Sequence, residues 1–473
     1  MKPARSCPLV RFVGLRRCLP VLALVSGLAL LAGCAVNVPK LPQEMPAAWQ
    51  HALQANAAPA PDLRGWWHAF DDPRLDALVN AALADNLAIG EAVLRIEAAR
   101  LLAAHAGTPY RPLLSAHTQS EPTPDSSASY FQFGFDARWE LALFGRGESR
   151  HRLADANLGL AETAAQAARV STVAEVVRAC VELRAAEQRL DLLQRAATLA
   201  TDERALVATR QRLRLASATD LANATAAVAT AEAALHEPRL AIDTTLQQLA
   251  VLLGRDRPDP AWAEPGPPLV VAATAVGTPP VELLRTRPEI RQAEFAVLEA
   301  AGKAGLASAD RFPRIGLGGS LTYSSKALGG SRLSTTDSIV SIGPAIDMPL
   351  FDWGMRQALA DARGRELEAS VLAYRQAVLQ GVAEVETALA TLEQQRARAA
   401  ALARVVDARA GADAASAQRK ALGLADGSER VATGTALVEA RLEASAAQRA
   451  HSLAFIALYK ALGGAPLPAG VTP

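Results

Sequence analysis

The sequence predicts a mainly α-helical chain with a transmembrane β part, built as a duplicated helix-strand-strand-helix-helix repeat. Proline-free stretches keep apolar residues at seven-residue spacing, as long packed helices require. Segments of about ten residues alternate apolar with polar side chains, as bilayer-spanning strands do. A shift of 201 residues lays the first half of the chain on the second. The composition fits: 50% of the 473 residues are hydrophobic but only 4% are aromatic, so small side chains dominate and helix backbones can approach closely. The length excludes a disulfide-stapled miniprotein or a disordered tail. A net charge of +1 without a basic block leaves no electrostatic footprint for nucleic acid.

Residues 1–33 have the pattern of a signal peptide. Lys2, Arg5, Arg11, Arg16 and Arg17 stand without an acid before a predominantly apolar run from Leu19 to Gly33, which is shorter than the about 20 residues of a spanning helix. Leu31-Ala32-Gly33-Cys34 resembles the lipobox of bacterial lipoproteins. That resemblance implies cleavage before Cys34 and a covalent lipid on its sulfur; a plain signal peptide with an incidental Cys is the other reading. Ala35, where an inner-membrane retention signal would place Asp, implies sorting to the outer membrane. Losing five basic and no acidic residues takes the net charge from +1 to −4. Cys7 and Cys18 leave with the signal, so Cys180 stands alone as a small core residue and no disulfide forms within one mature chain.

From the lipidated end, residues 34–72 form a Pro- and Ala-rich anchor segment containing Trp66-Trp67, and the first repeat occupies 73–257. Leu75, Leu78, Val79, Leu83, Leu87, Val93, Ile96 and Leu101 follow helical spacing until Pro109 and Pro112 stop it. Strands are expected at about 113–120 and 130–140. In the latter Phe131, Phe133, Phe135, Ala137 and Trp139 alternate with Gln132, Gly134, Asp136, Arg138 and Glu140. The polar stretch from Glu121 to Ser129 is the loop between them; a soluble edge hairpin is the alternative for this segment. Long helices follow at about 146–213 and 219–253, the first with Val176, Leu183, Leu190 and Ala197 seven residues apart. Roughly 65 helical residues make a rod on the order of 100 Å, too long for the core helix of a globule.

A linker with seven prolines spans 258–280, the second repeat 281–464 and a tail 465–473. The second repeat places a helix at about 282–310, strands at about 314–323 and 338–348, and long helices at about 353–421 and 428–463. Ile89 falls on Ile290, Ala92 on Ala293, Ala99 on Ala300 and Pro112 on Pro313. Four strands cannot close a barrel, and an open edge in lipid leaves backbone groups unsatisfied at several kcal/mol each. An oligomer of at least two chains follows.

Phe70-Asp71-Asp72-Pro73-Arg74-Leu75, Trp139-Glu140-Leu141-Ala142-Leu143-Phe144-Gly145-Arg146, Leu252-Leu253-Gly254, Arg287-Pro288-Glu289-Ile290, Pro349-Leu350-Phe351 and Leu462-Gly463-Gly464 resemble the TolC-type outer membrane efflux family, in its lipoprotein branch serving RND pumps. The resemblance covers nearly the whole mature chain in order. Ala142 stands where that family usually has Asp, and Pro238 falls in a helix usually unbroken. It implies a homotrimer whose strands form one 12-stranded β-barrel among the outer membrane lipids, continued by a periplasmic α-helical barrel. The partners implied are a periplasmic adaptor protein and an inner-membrane RND transporter, and the function a passive exit duct. Tyr130, Phe131, Trp139 and Tyr323 are then expected toward the bilayer or its interfaces.

The same resemblance assigns the turns between the long helices. Asp220 and Glu429, with Arg214 and Arg430 as pairing partners, match the family's periplasmic gate. Leu215, Ala216, Ser217, Gly423 and Leu424 match its adaptor-docking turns. Asp220 and Glu429 also read simply as acids favoured at helix starts by the helix dipole.

Catalytic motifs are missing from the sequence. The His residues at 51, 68, 105, 117, 151, 236 and 451 form no HExxH, Gly316-Leu317-Gly318-Gly319-Ser320 is no dinucleotide loop, and no P-loop occurs. A non-enzymatic chain without metal or soluble cofactor is expected. A structural or adhesive coiled-coil envelope lipoprotein without conductance, and the exit duct of a type I secretion system, are the competing functions. Four alternating strands of bilayer length have no use in a helical stalk.

Overall fold

The computed structural model describes residues 36–41, 48–51, 62–121, 130–271, 281–326 and 338–467. Cys34, the expected signal peptide, much of the anchor segment, the loop at 122–129, parts of the linker and tail, and the side chains of Tyr130 and Phe131 lie outside that description. Helices are α1 (Pro73–Asp85), α2 (Leu87–Ala104), α3 (Arg146–Arg212), α4 (Ala218–Ala233), α5 (His236–Leu252), α6 (Pro288–Ala309), α7 (Met355–Ala421) and α8 (Gly427–Ala461). Strands are β1 (Leu113–Glu121), β2 (Tyr130–Glu140), β3 (Arg314–Lys326) and β4 (Ser338–Asp347).

One compact unit holds residues 98–160 and 293–374. Its centre is an antiparallel sheet in the order β1-β2-β3-β4. The register sorts side chains by face, because residues directly opposite in neighbouring strands point the same way. Ala116, Phe135, Leu321 and Val340 form one row, and Leu114, Ala137, Gly319 and Ile342 another. The intervening row is Ser115, Asp136, Ser320 and Ser341. One face of the sheet is therefore apolar across all four strands. Trp139 lies on it opposite Leu317, and Tyr323 opposite Phe133. The apolar face is bare, with Ile342 90% exposed.

Each strand pair runs into its long helix through two left-handed residues, Phe144 (φ 54°) and Gly145 (φ 76°), then Trp353 (φ 58°) and Gly354 (φ 77°). Phe144 stacks on Phe312 at 5.0 Å. Beside it the buried Arg146 donates to the carbonyls of Ala309 (2.7 Å) and Phe312 (3.3 Å) and pairs with Asp310, capping the C-terminal end of α6. Burial works to raise the Asp310 carboxyl, but the guanidiniums of Arg146 and Arg314 bring it below its ordinary value. Higher up, α6 meets α3 through glycine: a Cβ on Gly302 would stand 2.9 Å from that of Leu153.

The second unit holds residues 42–97, 161–292 and 375–473. Here α3 and α8 run antiparallel. Leu199 packs into the gap left by Gly434 and Leu206 into that of Gly427, each seven residues apart, while Gln188 accepts from Ser445 (2.6 Å) and Glu182 pairs with Arg449 (2.8 Å). The buried Trp66 closes the end of α8, donating its indole N–H to the Gly464 carbonyl (3.0 Å) and stacking on Tyr459. Cys180 is buried, and desolvation pushes its thiol up to about 12, so it packs and does not react.

The structure departs from the expected elements at several points. The single helix expected at 219–253 is two, because Pro238 has no N–H for the Ala234 carbonyl and its ring crowds that turn; α4 ends, and Leu235 bonds Glu232 in a tighter turn. The first amphipathic stretch breaks at Asn86, whose carboxamide accepts from the N–H groups of Ala88 and Ile89 and donates to the Leu252 carbonyl (2.8 Å). The helix expected from 282 begins as a 3-10 turn, Val281–Thr286, and becomes α-helical at Pro288, where a missing N–H costs nothing. The long helix expected from 353 begins at Met355 because Trp353 and Gly354 are left-handed. β3 continues to Lys326 and β4 ends at Asp347.

The Gly302 contact yields a stability prediction. Gly302→Val drives branched carbons into Leu153 and destabilises the protein by roughly 1–3 kcal/mol, read as a lowered urea or thermal midpoint; an unchanged midpoint contradicts the close packing.

Candidate functional site

The turns joining α3 to α4 and α7 to α8 both lie in the second unit and are built alike. At the first, Leu215 N–H bonds the Arg210 carbonyl (2.8 Å) and Arg214 N–H that of Gln211 (2.9 Å). At the second, Leu424 N–H bonds Arg419 (2.8 Å) and Gly423 N–H bonds Lys420 (3.0 Å). These are Schellman closures, which need one left-handed residue. Gly423 (φ 72°) takes that conformation freely, while Arg214 (φ 61°) takes it at a cost of roughly 1–2 kcal/mol.

The next helices start on side-chain caps. Ser217 and Asp220 form a capping box: the Ser217 hydroxyl accepts from the Asp220 N–H (3.1 Å) and the Asp220 carboxylate from the Ser217 N–H (2.8 Å). Asp426 caps α8 by accepting from the Glu429 N–H (3.0 Å). The Ser217 backbone N–H, then its hydroxyl, hold the Asp220 carboxyl below its ordinary value. The Glu429 N–H, with Arg210 nearby, does the same for Asp426.

Within one chain the charges at the turns find the following partners. Among the described residues Asp220 meets neither Arg214 nor Arg430. Glu429 pairs with Arg419 (2.9 Å), and Arg430 with Asp413, which also accepts from Thr433. Arg210 reaches Asp426 (2.6 Å) and ties the first turn to the second. Arg210, Asp413, Arg419 and Asp426 were not singled out from sequence. Asp426 carried a local signal, a cap-type residue three before an acid; the others are found only when antiparallel helices are side by side. Leu213, Leu215, Leu422 and Leu424 stand out into solvent, and Ala216, Ser217 and Gly423 complete the two turn surfaces. The arrangement has apolar tips and an ionic collar, and no nucleophile. Among the described residues no group of three His, Cys, Asp or Glu is placed to hold a metal.

The sequence profile of the outer membrane efflux protein family matches residues 78–255 and 280–464. Outer membrane protein OprJ of Pseudomonas aeruginosa is 33% identical over 387 residues, covering 76% of this chain and 78% of that protein. Pyoverdine export outer membrane protein OpmQ of the same species is 28% identical, covering 79% and 81%. The solved outer-membrane channel OprN superposes with a TM-score of 0.76 at 27% identity, covering 92% of this chain and all of that one. The chain belongs to the outer membrane efflux protein family. It is thus an outer membrane transport protein of TolC-like channel fold that works beside other pump proteins, in a family of ducts and not of enzymes.

The caps set the acid response of the turns. Both carboxyls are depressed on folding, so their contribution is complete above the unfolded value of about 4 and disappears as pH falls through their lower folded values. Hydrogen exchange corrected for intrinsic rates should show protection at the Ser217 and Glu429 amides, which donate to the Asp220 and Asp426 carboxylates, constant from neutrality to about pH 5 and declining as pH falls below about 4. Protection that persists to pH 2 contradicts the caps.

Proposed function

We propose that the chain is the passive exit duct of a tripartite RND-type efflux system, acting as a homotrimer with a periplasmic adaptor and an inner-membrane RND transporter. The observation that carries this is the four-stranded sheet with one apolar face and open outer edges at β1 and β4. In lipid those edges demand further strands, and three copies supply a 12-stranded barrel. The apolar face, with Trp139 and Tyr323, then meets the bilayer and the Ser115, Asp136, Ser320, Ser341 row faces the passage. A lipid on Cys34 adds a second anchor.

The duplication also supports a second copy as neighbour. Inside the chain Leu153 of α3 lies against Gly302 of α6. Register carries Leu153 onto Ala362 of α7 and Gly302 onto Leu101 of α2. Large and small have changed places: Leu101 is 67% exposed, and Ala362 is exposed too, so each lacks its counterpart among the described residues of one chain. The seam between copies repeats the seam between repeats. With Leu101→Cys and Ala362→Cys in one chain, oxidation should give a covalent trimer band on a non-reducing gel. Monomer alone would remove the support for this seam.

The turns are the periplasmic entrance in this reading, their exposed leucines the adaptor surface and their ion pairs what holds the end narrow. Asp220→Ala combined with Glu429→Ala should raise single-channel conductance with trimer yield unchanged. Conductance and cation selectivity that stay as before would leave both residues as caps only.

A further inference from the structure

A cavity of about 790 Å³ opens in the first unit between the end of α2, the start of α3 and the lower ends of the strands. That volume suits a small organic molecule, since such sites run about 300–1,000 Å³. Arg111, Arg138, Arg150 and Arg314 are among the residues that line it. Arg314 is held by Asp310 at 3.0 Å. The other three guanidiniums are exposed and have no ion pair among the described residues; Glu140 is the only acid in the described lining. Leu102, Leu113 and Leu153 supply an apolar wall.

The second repeat forms the equivalent junction without this charge. In the second repeat the positions of Arg111, Arg138 and Arg150 are held by Phe312, Asp347 and Leu359, and the same strand-to-helix junction forms. Arginine forks match carboxylate, sulfate and phosphate oxygens in two-point fashion, which a generic positive surface does not require. Arg138 and Glu140 alternate with the apolar positions of β2, so the cavity lies on the polar side of the sheet. Ala99, in its wall, is on a different side of α2 from Leu101, at the seam inferred above.

We infer that this cavity binds amphipathic anions, the head group on Arg111, Arg138 and Arg150 and the apolar body against Leu102, Leu113 and Leu153. Resting on the duct reading, the polar side faces the passage, and such anions are a class of solute that the duct holds in transit. A phosphate head has two sources, a dissolved solute and a phospholipid that enters the passage.

The test uses the full-length protein in phosphatidylcholine nanodiscs, titrated with hexyl phosphate by calorimetry, with hexanol as the uncharged control. Hexyl phosphate should bind at least tenfold more tightly than hexanol, and the triple variant Arg111→Gln, Arg138→Gln, Arg150→Gln should weaken it at least tenfold, while Arg257→Gln leaves it unchanged. Equal binding of hexanol, or unaltered affinity in an assembled triple variant, overturns the site. Should the triple variant fail to assemble, Arg150→Gln alone, on an exposed helical position, must weaken binding at least threefold or the site is rejected. Repeating the titration with phosphatidylglycerol in the disc separates the sources: lost hexyl phosphate binding identifies the lipid head group as occupant, retained binding the solute, and either outcome keeps the site. Single-channel recording on the same protein in planar bilayers separates the two readings: conductance without anion binding overturns the site and leaves the duct, and anion binding without conductance does the reverse.

Discussion

The constraint on which everything else depends is the backbone hydrogen bond in a medium without water. Four strands with a continuous apolar face satisfy their inner edges through a full antiparallel ladder, from Leu113 opposite Arg138 to Arg314 opposite Asp347. The outer edges of β1 and β4 have no such partner among the described residues. Each buried unpaired N–H or C=O costs several kcal/mol in lipid, more than any single side-chain contact described above can offset. The apolar face and the open edges are therefore one problem, and in the proposed trimer they have one solution.

Close helix approach follows from the same economy of side chains. Gly302 admits Leu153, Gly427 and Gly434 admit Leu206 and Leu199, and Gly464 admits Trp66. Each is a large residue set into a gap that only a missing Cβ provides. A chain rich in Ala and poor in aromatic residues can hold long helices together this way without a thick core. Three of the few aromatics, Trp66, Phe455 and Tyr459, pack together to close off the end of α8.

Duplication gives the molecule an internal comparison. Both repeats keep the pair of left-handed residues before the long helix and the Schellman turn after it, because those are backbone requirements. They differ where side chains meet different neighbours. Phe144 has Phe312 to stack on, while its counterpart Trp353 is 89% exposed. Gly423 sits in the left-handed turn where the first repeat has Arg214, and three arginines stand in the first repeat where the second has Phe312, Asp347 and Leu359.

The sequence by itself determined what is periodic or local. Alternation in Tyr130 to Glu140 specified a strand and its apolar side, heptads from Val176 to Ala197 specified a long helix, and Pro112 with Pro313 marked the repeat. It also located both helix turns, since a cap and a broken pattern are signals within a few residues. Where signals competed, the local one misled: apolar spacing ran on through Asn86 and Pro238, and the structure breaks there because a side-chain cap and a missing N–H outweigh propensity. Tertiary structure alone decided the partners. Arg210 with Asp426, Arg430 with Asp413, Arg146 on the end of α6, and the arginines around one cavity are separated by up to 216 residues in the chain. A charge signals that it needs a partner, but antiparallel packing selects which one, through a register that no short window of sequence contains.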